Sequence, residues 1–346
     1  MKFKLNHKQY SDLINISTGV FSPLKKFVNK EQFDTILKKQ ILEKKFFPFP
    51  VFFGLNKEQY KNIKSQKTLI LEYKSNEIAI INKLNFFEID KNLFGKKIFG
   101  KNYKNHPYFK IFYDENFKFL SFNVCKKPHP KNLPKFFVAP AIFKKKIKKV
   151  KFLSSFHTRN VPHAAHQWIH SHLLTNYGGL LIQPLIGQYK RGEYKDTCIM
   201  KTNLKAARLL NNNKVFCLPF FSYPRYGGPL EACLHAIVRK NYGCTHFWVG
   251  RDHAGYKNFF SKYQSQKYCK SNENKIRIKI VSEKEPFFCK IHKIVSNKCK
   301  SKKCNESKLL ISGTKIRALL LNNKKIPKYL MFKKISELIS SKSLIN

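Results

Sequence analysis

The chain has few acidic residues: 20 Asp and Glu stand against 68 Lys and Arg in 346 residues, which gives a formal net charge of +48. Clustered positive charge of this size is typical of proteins that bind nucleic acid. A second interpretation is codon bias. Four residue types that have codons made only of A and T are abundant throughout the chain, namely Lys, Asn, Ile and Phe. With either origin, a positive surface raises the local concentration of anions and would bind nucleic acid weakly and without specificity, so we expect no specific nucleic-acid partner.

The sequence also has no long apolar run, and its first residues predict no secretory leader. Because no run approaches about 18 apolar residues, we expect no transmembrane helix. The first residues, MKFKLNHKQYSD, are not followed by the apolar segment of a signal peptide. Nine cysteines, an odd number outside a secretory context, argue against a disulfide framework. We therefore expect a cytoplasmic protein without a membrane partner, long enough for two or three domains.

Composition divides the chain into three regions. Residues 1–132 read as short strands with a few helices, and a Pro- and Lys-rich connection at 126–136 ends this region. Residues 133–285 alternate between strands and helices, which predicts a parallel sheet with crossover helices. The strands predicted in this region are 148–156, 214–220, 245–250 and 276–282. Residues 286–346 form a smaller end with a helix capped by Ser312 and a final lysine-rich helix.

The most informative motif is HTRNVPHAAH at residues 157–166, directly after a predicted strand. Pro162 fits the first turn of a helix, where its missing N–H costs nothing, and this helix should end at Gly178. His163 and His166 are three residues apart and would share one helical face. Free N–H groups and the positive dipole end of a helix suit phosphate at this position.

A second motif, GRDHAG at residues 250–255, also follows a predicted strand. In open α/β sheets the ligand lies at the carboxyl ends of the strands, so both motifs point to one crevice. A lone HxxH pair is more often made of ordinary surface or core histidines. The second motif about 90 residues later favours a functional role for the pair.

These segments resemble the ATP sulfurylase family of HxGH-type nucleotidyltransferases, whose motifs read close to QTRNPxHxxH and GRDHAG. Further matches, in order along residues 10–325, are GVFSPLKKF, KIFGKNYKNHPYF, PRYGGPLEACLHAIVRKNYG and ISGTKIRALL. The resemblance implies an α/β protein with a PUA-like β-barrel at 1–132, a Rossmann-like nucleotidyltransferase domain at 133–285 and a small C-terminal α/β domain at 286–346. The chain lacks a GxxxxGK[ST] phosphate loop, so we expect no fused adenylylsulfate kinase domain.

The resemblance implies a reaction in which sulfate attacks the α-phosphate of ATP and yields adenosine 5′-phosphosulfate and pyrophosphate. Such a transfer depends on positioning and charge neutralisation, and Mg²⁺ would accompany ATP. Family members commonly self-associate, so a homo-oligomer is expected. Two other functions stay open: a basic nucleic-acid-binding protein, and another HxGH-class nucleotidyltransferase. The direction of the reaction, towards sulfate assimilation or towards ATP formation, also stays open.

The resemblance also assigns the site residues. The catalytic set it implies is Thr158, Arg159, Asn160, His163, His166 and Arg251. The sulfate contacts it implies are His157, Arg159 and the backbone of Ala254. The ATP contacts it implies are Asn160, His163, His166, Gly250, Arg251, Asp252 and His253.

Some positions have a structural alternative, and others depart from the family pattern. Asp252 could instead orient Arg251, and Arg225 could line the nucleotide site or only support the following helix. Arg317 of the SGTKIR segment could reach the site or lie on a solvated helix face. His157 replaces the family's Gln, and Gln183 replaces a family His, yet both can still form hydrogen bonds.

A separate cluster of cysteine and histidine lies near the C-terminus. Cys289, His292, Cys299 and Cys304 follow the spacing C-x2-H-x6-C-x4-C, which suits tetrahedral zinc. Such a site would be structural because four protein ligands leave no open position. The alternative is four unrelated residues in a lysine-rich loop.

Overall fold

A computed structural model describes residues 1–187, 191–299 and 307–345. Close contacts divide the chain into two compact units, each made of three segments. The first unit comprises Met1–Lys146, Ser222–Gly243 and Arg251–Ile280. The second unit comprises Ile147–Phe221, Cys244–Gly250 and Val281–Asn346. Each unit is described here by itself.

The strands and helices follow in chain order. The strands are β1 (Lys2–Lys4), β2 (Ile41–Leu42), β3 (Lys45–Phe46), β4 (Phe53–Leu55), β5 (Thr68–Tyr73), β6 (Asn76–Phe87), β7 (Lys118–Lys126), β8 (Leu153–Thr158), β9 (Gly179–Ile186), β10 (Val215–Cys217), β11 (Phe220–Phe221), β12 (His246–Trp248), β13 (Lys279–Val281), β14 (Phe287–Cys289), β15 (Ile294–Ser296) and β16 (Lys308–Leu310). The helices are α1 (His7–Ser17), α2 (Lys30–Lys39), α3 (Lys57–Ile63), α4 (Lys91–Phe99), α5 (Pro107–Glu115), α6 (Pro140–Lys146), α7 (Ala164–Tyr177), α8 (Asp196–Leu209), α9 (Gly228–Asn241), α10 (Gln264–Ser271), α11 (Glu273–Ile276), α12 (Gly313–Leu321) and α13 (Lys333–Ser336).

The first unit is built around a five-stranded sheet in the order β1-β5-β6-β7-β4. β1 and β5 run parallel, and the other neighbours run antiparallel. The expectation that residues 1–132 are mostly strands with a few helices underestimates the helices. The five helices α1 to α5 lie among the strands of this region. Three of these helices begin with the same Asn-x-x-Gln capping box, at Asn6, Asn29 and Asn56. This local signal for a helix start is readable from the sequence.

Aromatic rings fill the core of the first unit. Phe27, Phe53 and Phe122 contact one another edge-on or tilted, with ring centroids 5.2 to 5.5 Å apart. The later segments of the unit join this core through buried polar bonds. The Asn241 side chain at the end of α9 donates to the carbonyls of Val20 and Ser22, at 2.9 and 2.7 Å. Residues distant in sequence therefore complete one fold.

The second unit contains a parallel sheet in the order β10-β9-β8-β12, and β11 also pairs in parallel with β9. β8 and β9 pair in parallel from Leu153 opposite Gly179 to Thr158 opposite Pro184. α7 connects these two strands, and its apolar side packs with Phe156 and Ile182 in a buried cluster. The expected parallel sheet with crossover helices is confirmed.

Several predicted boundaries differ from the structure. The strand predicted at 148–156 begins later, at Leu153, and the segment 214–220 is divided between β10 and β11. The segment 276–282 begins within the end of α11 before β13 forms. The final lysine-rich helix is reduced to the single turn of α13. The sequence analysis missed β9 altogether, because Gln183 and Pro184 interrupt its apolar run.

The C-terminal residues pack within the second unit. β14, β15 and β16 form a small antiparallel sheet. Ile316 and Leu320 of α12 share a buried cluster with Ile199 and Ala206 of α8. This packing fixes the start of α12, where the Ser312 side chain accepts from the Lys315 N–H as expected of an N-cap. In the described part of the chain, no helix is long and apolar enough to cross a membrane.

Candidate active site and metal centre

The loop between β8 and α7 carries the first three candidate catalytic residues of the second unit. Thr158 ends β8, and its hydroxyl accepts a hydrogen bond from the Asn160 N–H at 3.1 Å. The Asn203 side chain of α8 donates to the Asn160 carbonyl at 3.3 Å. Arg159 lies half-buried between Thr158 and Asn160. The backbone of this loop is therefore held by two polar side chains, of which the sequence analysis missed Asn203.

His163 is the N-cap of α7, and its Nδ1 accepts from the His166 N–H at 3.3 Å. The two rings stack with centroids 3.6 Å apart. Because Nδ1 accepts this bond, the proton of the neutral His163 ring is on Nε2, which makes Nε2 a hydrogen-bond donor. The expectation that Pro162 begins the helix is wrong, since Ala164 is the first helical residue. His163 itself occupies one N–H that was expected to meet phosphate.

Burial keeps these imidazoles neutral. Desolvation lowers the pKa of His163 to about 4 and that of His170, one turn after His166, to about 3. Desolvation also lowers the pKa of His166, followed by repulsion from His163 and His170. The Phe156 ring contacts both His166 and His170, with centroids 5.0 and 4.8 Å away. Near neutral pH this cluster therefore offers uncharged hydrogen-bonding groups, while Arg159 supplies positive charge.

The two departures from the family pattern are neighbours across the sheet. His157 of β8 lies opposite Gln183 of β9, and its Nδ1 donates to the Gln183 carbonyl at 3.1 Å. The Gln183 side chain is fully buried, and neither its oxygen nor its nitrogen has a hydrogen-bond partner among the described residues. Unpaired buried amides are rare in folded proteins and call for an explanation at a functional site.

The GRDHAG segment enters the first unit at Arg251, whereas Gly250 belongs to the second unit. Nε and Nη2 of Arg251 both lie 2.7 Å from the same carboxylate oxygen of Asp252, so the two side chains form an ion pair. His253 Nε2 and His235 Nδ1 are 3.0 Å apart. Ala254 has a left-handed backbone, with φ of 56°, and its carbonyl accepts from Gly228 at 2.9 Å.

Arg225 supports the first unit from inside. It is buried and forms an ion pair with Asp12, whose second oxygen accepts from the Tyr223 hydroxyl at 2.8 Å. Arg225 Nη1 also donates to the Ser222 hydroxyl at 3.2 Å. Burial raises the pKa of Asp12, and the Arg225 charge opposes that rise. This geometry favours the structural alternative for Arg225.

Three of the four expected metal ligands meet in the second unit. The Cys289 and Cys299 sulfurs are 3.7 Å apart, and His292 Nδ1 lies 3.4 and 3.5 Å from them. Tetrahedral zinc with ordinary bond lengths separates two sulfurs by ~3.8 Å and a sulfur from a nitrogen by ~3.6 Å. A hydrogen bond from the His292 backbone is the largest cause that lowers the pKa of the Cys289 thiol to about 6. Cys304 lies outside the described residues.

Comparison with known proteins identifies the family. A model described as ATP-sulfurylase matches residues 134–342, and one described as a PUA-like domain matches residues 1–121. The chain belongs to the ATP-sulfurylase family. It is 32% identical to the sulfate adenylyltransferase of Pyrococcus abyssi, over 98% of this chain and 90% of that protein. The sulfate adenylyltransferase of Ignicoccus hospitalis is 30% identical, over 96% of this chain and 88% of that protein.

A solved structure shares the fold. The chain is similar to the hexameric APS kinase from Thiobacillus denitrificans, with a TM-score of 0.73 and 15% sequence identity. The match covers 97% of this chain but only 62% of that structure. Together with the family models, it confirms an α/β protein that has a PUA-like N-terminal domain and a parallel-sheet domain. The resemblance drawn from the motifs is confirmed at the level of the family.

Proposed function

We infer that the chain is a sulfate adenylyltransferase, which transfers the adenylyl group of ATP to sulfate and releases pyrophosphate. The observation that carries this inference is family membership over nearly the whole chain, with the HTRN and GRDHAG residues in place. Because sulfate is a poor nucleophile and both substrates are anions, the site must act mainly by positioning and charge neutralisation.

In the second unit, Arg159 would hold sulfate, because its planar guanidinium can donate two parallel bonds to a tetrahedral oxyanion. Asn160 and His163 would donate to the ATP phosphates. His163 suits this role because its ring proton is on Nε2. The Nε2–H can therefore donate to phosphate while the imidazole stays neutral. His166, stacked on His163, would hold that ring in place and add a second contact to phosphate.

In the first unit, Arg251 would neutralise phosphate charge, and Asp252 would fix its orientation by the observed ion pair. Gly250 and His253 would contact ATP, and the backbone N–H of Ala254 would contact sulfate. A left-handed alanine is uncommon outside functional sites and tight turns, and this supports a constrained role for its N–H.

Mg²⁺ would enter with ATP rather than be held by the protein. Asp252 is the one carboxylate in the two motifs, and Arg251 already engages it. When bound to the phosphates, the cation shields their negative charge from the incoming sulfate. We therefore assign no residue of this chain to its coordination.

The test of function is sulfate-dependent pyrophosphate release from ATP in the presence of Mg²⁺. Arg159→Ala and His166→Ala should each lower the rate by about 10² or more with little change in thermal stability. Arg191→Ala, which removes an exposed arginine of the same unit, is the matched control. Full activity in both site variants would refute the assigned roles. A wild-type protein without sulfate-dependent turnover would refute the function and favour the nucleic-acid-binding alternative.

A structural zinc ion at Cys289, His292, Cys299 and Cys304 is part of the proposal. The distances among the three described ligands support it, because they match a tetrahedral site without rearrangement. Metal analysis should find one zinc per chain, and Cys289→Ser should lose the metal and lower the melting temperature. Cys125→Ser, at an exposed free cysteine, should do neither. Protein that carries no zinc would refute the site.

Three broader predictions stay proposals. The domain boundaries near residues 132 and 285 would be tested by limited proteolysis. A homo-oligomer would appear in sedimentation as a mass that is a multiple of 40.8 kDa. A cytoplasmic location would be tested by fractionation of cells.

A further inference from the structure

The side chain of Asn160 is fixed by α12. Arg317 Nη1 donates to Asn160 Oδ1 at 2.8 Å, and Arg317 Nη2 lies 3.3 Å from the Thr314 hydroxyl. The two residues are 157 positions apart in the sequence and meet because α12 packs on the cluster that also holds α8. Arg317 therefore does reach the loop after β8, which was one of its two expected positions.

This bond settles the orientation of the amide. A guanidinium has only donors, so the atom that it contacts must be the oxygen of Asn160. The amide nitrogen then points away from Arg317, and no described residue accepts a hydrogen bond from it, so both of its hydrogens can be donated to an anion. An anion such as a nucleotide phosphate requires this orientation, because the opposite one would present a lone pair to it.

Gly313 gives a second, independent constraint. A Cβ built at Gly313 would lie 3.2 to 3.4 Å from the side-chain atoms of Asn160. This is tighter than ordinary van der Waals contact, so a larger residue would press directly on the amide. The first turn of α12 thus brings its backbone against Asn160, while Arg317 holds the oxygen and Thr158 and Asn203 hold the backbone.

We propose that Arg317 and Gly313 are positioning residues for ATP, which orient the Asn160 amide towards phosphate without touching the substrate. The proposal rests on the proposed function, since it assigns a partner to a residue of that same site. It gives the SGTKIR segment a physical role: the segment presents a glycine and an arginine, four residues apart, to one side chain.

The test combines single variants with a double-mutant cycle. Arg317→Met should raise KM for ATP roughly tenfold with little change in KM for sulfate, and Arg317→Lys should restore part of the loss. In the Asn160→Ala background, Arg317→Met should have little further effect, because the side chain that it orients is gone. Lys315→Met, at an exposed position of the same helix, is the control and should match the wild type.

Gly313→Ala separates positioning from stability. Alanine favours helix more than glycine, so α12 should be no less stable, yet the added methyl should displace the Asn160 amide and raise KM for ATP. Equal and additive losses from Arg317→Met in both backgrounds would overturn the proposal, as would a Gly313→Ala enzyme with unchanged KM for ATP. If the wild type does not turn over, the proposed function fails. Calorimetric binding of Mg-ATP to the same variants then tests the positioning role separately.

Discussion

Removing the charge of Arg225 tests whether this residue supports the fold or binds nucleotide. In the structure, Arg225 and Asp12 are 8% and 2% exposed and form an ion pair that is largely shielded from solvent. Arg225→Met keeps most of the side-chain volume but removes the positive charge beside Asp12. The buried Asp12 carboxylate then keeps the hydrogen bond from the Tyr223 hydroxyl but has lost its ion pair. We therefore expect a large loss of stability.

The size of the loss follows from this burial. Removing one partner of a buried ion pair costs about 3–5 kcal/mol, because the other charge stays desolvated. At roughly 2–4 °C per kcal/mol, this lowers the melting temperature by about 6–20 °C. Since burial already raises the pKa of Asp12, acid should protonate it readily, and the variant should lose least stability at low pH. Asp12→Asn combined with Arg225→Met should recover much of the loss.

The assay is thermal unfolding of the four proteins of this cycle, with ATP binding measured in parallel by calorimetry. Arg191→Met at an exposed position gives the baseline for losing an arginine. A melting temperature within about 1 °C of wild type, together with lost ATP binding, would show that Arg225 acts on the ligand and would refute the reasoning.

Three further predictions concern pH, backbone strain and His157. Burial keeps His163 and His170 neutral and lowers their pKa values to about 4 and 3, so on acidification these histidines are protonated in the unfolded chain before they are protonated in the folded protein. Their contribution to the free energy of unfolding should be fully present above pH ~6.5 and should fall by up to about 3 kcal/mol per histidine as the pH drops towards 4, as measured by urea unfolding at each pH. His170→Phe should make this dependence on pH less steep, and an unchanged dependence would contradict the assignment. Ala254→Gly should raise the free energy of unfolding by roughly 0.5–1 kcal/mol, since glycine adopts the left-handed backbone without strain; an unchanged or lower value would argue against strain. His157→Gln should keep sulfate-dependent turnover, because a glutamine amide can also donate to the Gln183 carbonyl, as Nδ1 of His157 does; loss of turnover with an unchanged melting temperature would show that the imidazole itself is required.

The sequence was sufficient for the family and for the parallel sheet, because both depend on motifs and on local alternation of strands and helices. Prediction from the sequence failed for contacts between residues that lie far apart along the chain. Asp12 and Arg225 are 213 positions apart, and neither position carries a local sign of the other. Asn203 gave no signal because its role is to bond the backbone of a loop in another segment. The strand β9 was missed since a proline is rarely found in the middle of a sheet.

The Asn-x-x-Gln capping boxes show a different kind of failure. Their pattern was present in the sequence and predicts helix starts, yet the short apolar runs around them, with recurring breaks at Asn, Gly and Pro, favoured strands. The role of His163 as a helix N-cap could not be predicted from the sequence in the same way. A histidine is not among the common cap residues, so its capping bond becomes visible only from the backbone geometry.

The bonds from Asn241 to Val20 and Ser22 have a consequence for how the protein is made on the ribosome. The first unit includes residues up to Ile280, so its N-terminal portion leaves the exit tunnel long before its partners exist. At about 5–20 residues per second, synthesis of the intervening 200 or so residues takes roughly 10–40 s. During this interval Asp12 lacks Arg225, and nascent chains are open to chaperones and proteases. An expression fragment that stops after residue 132 would lack both Arg225 and Asn241 permanently.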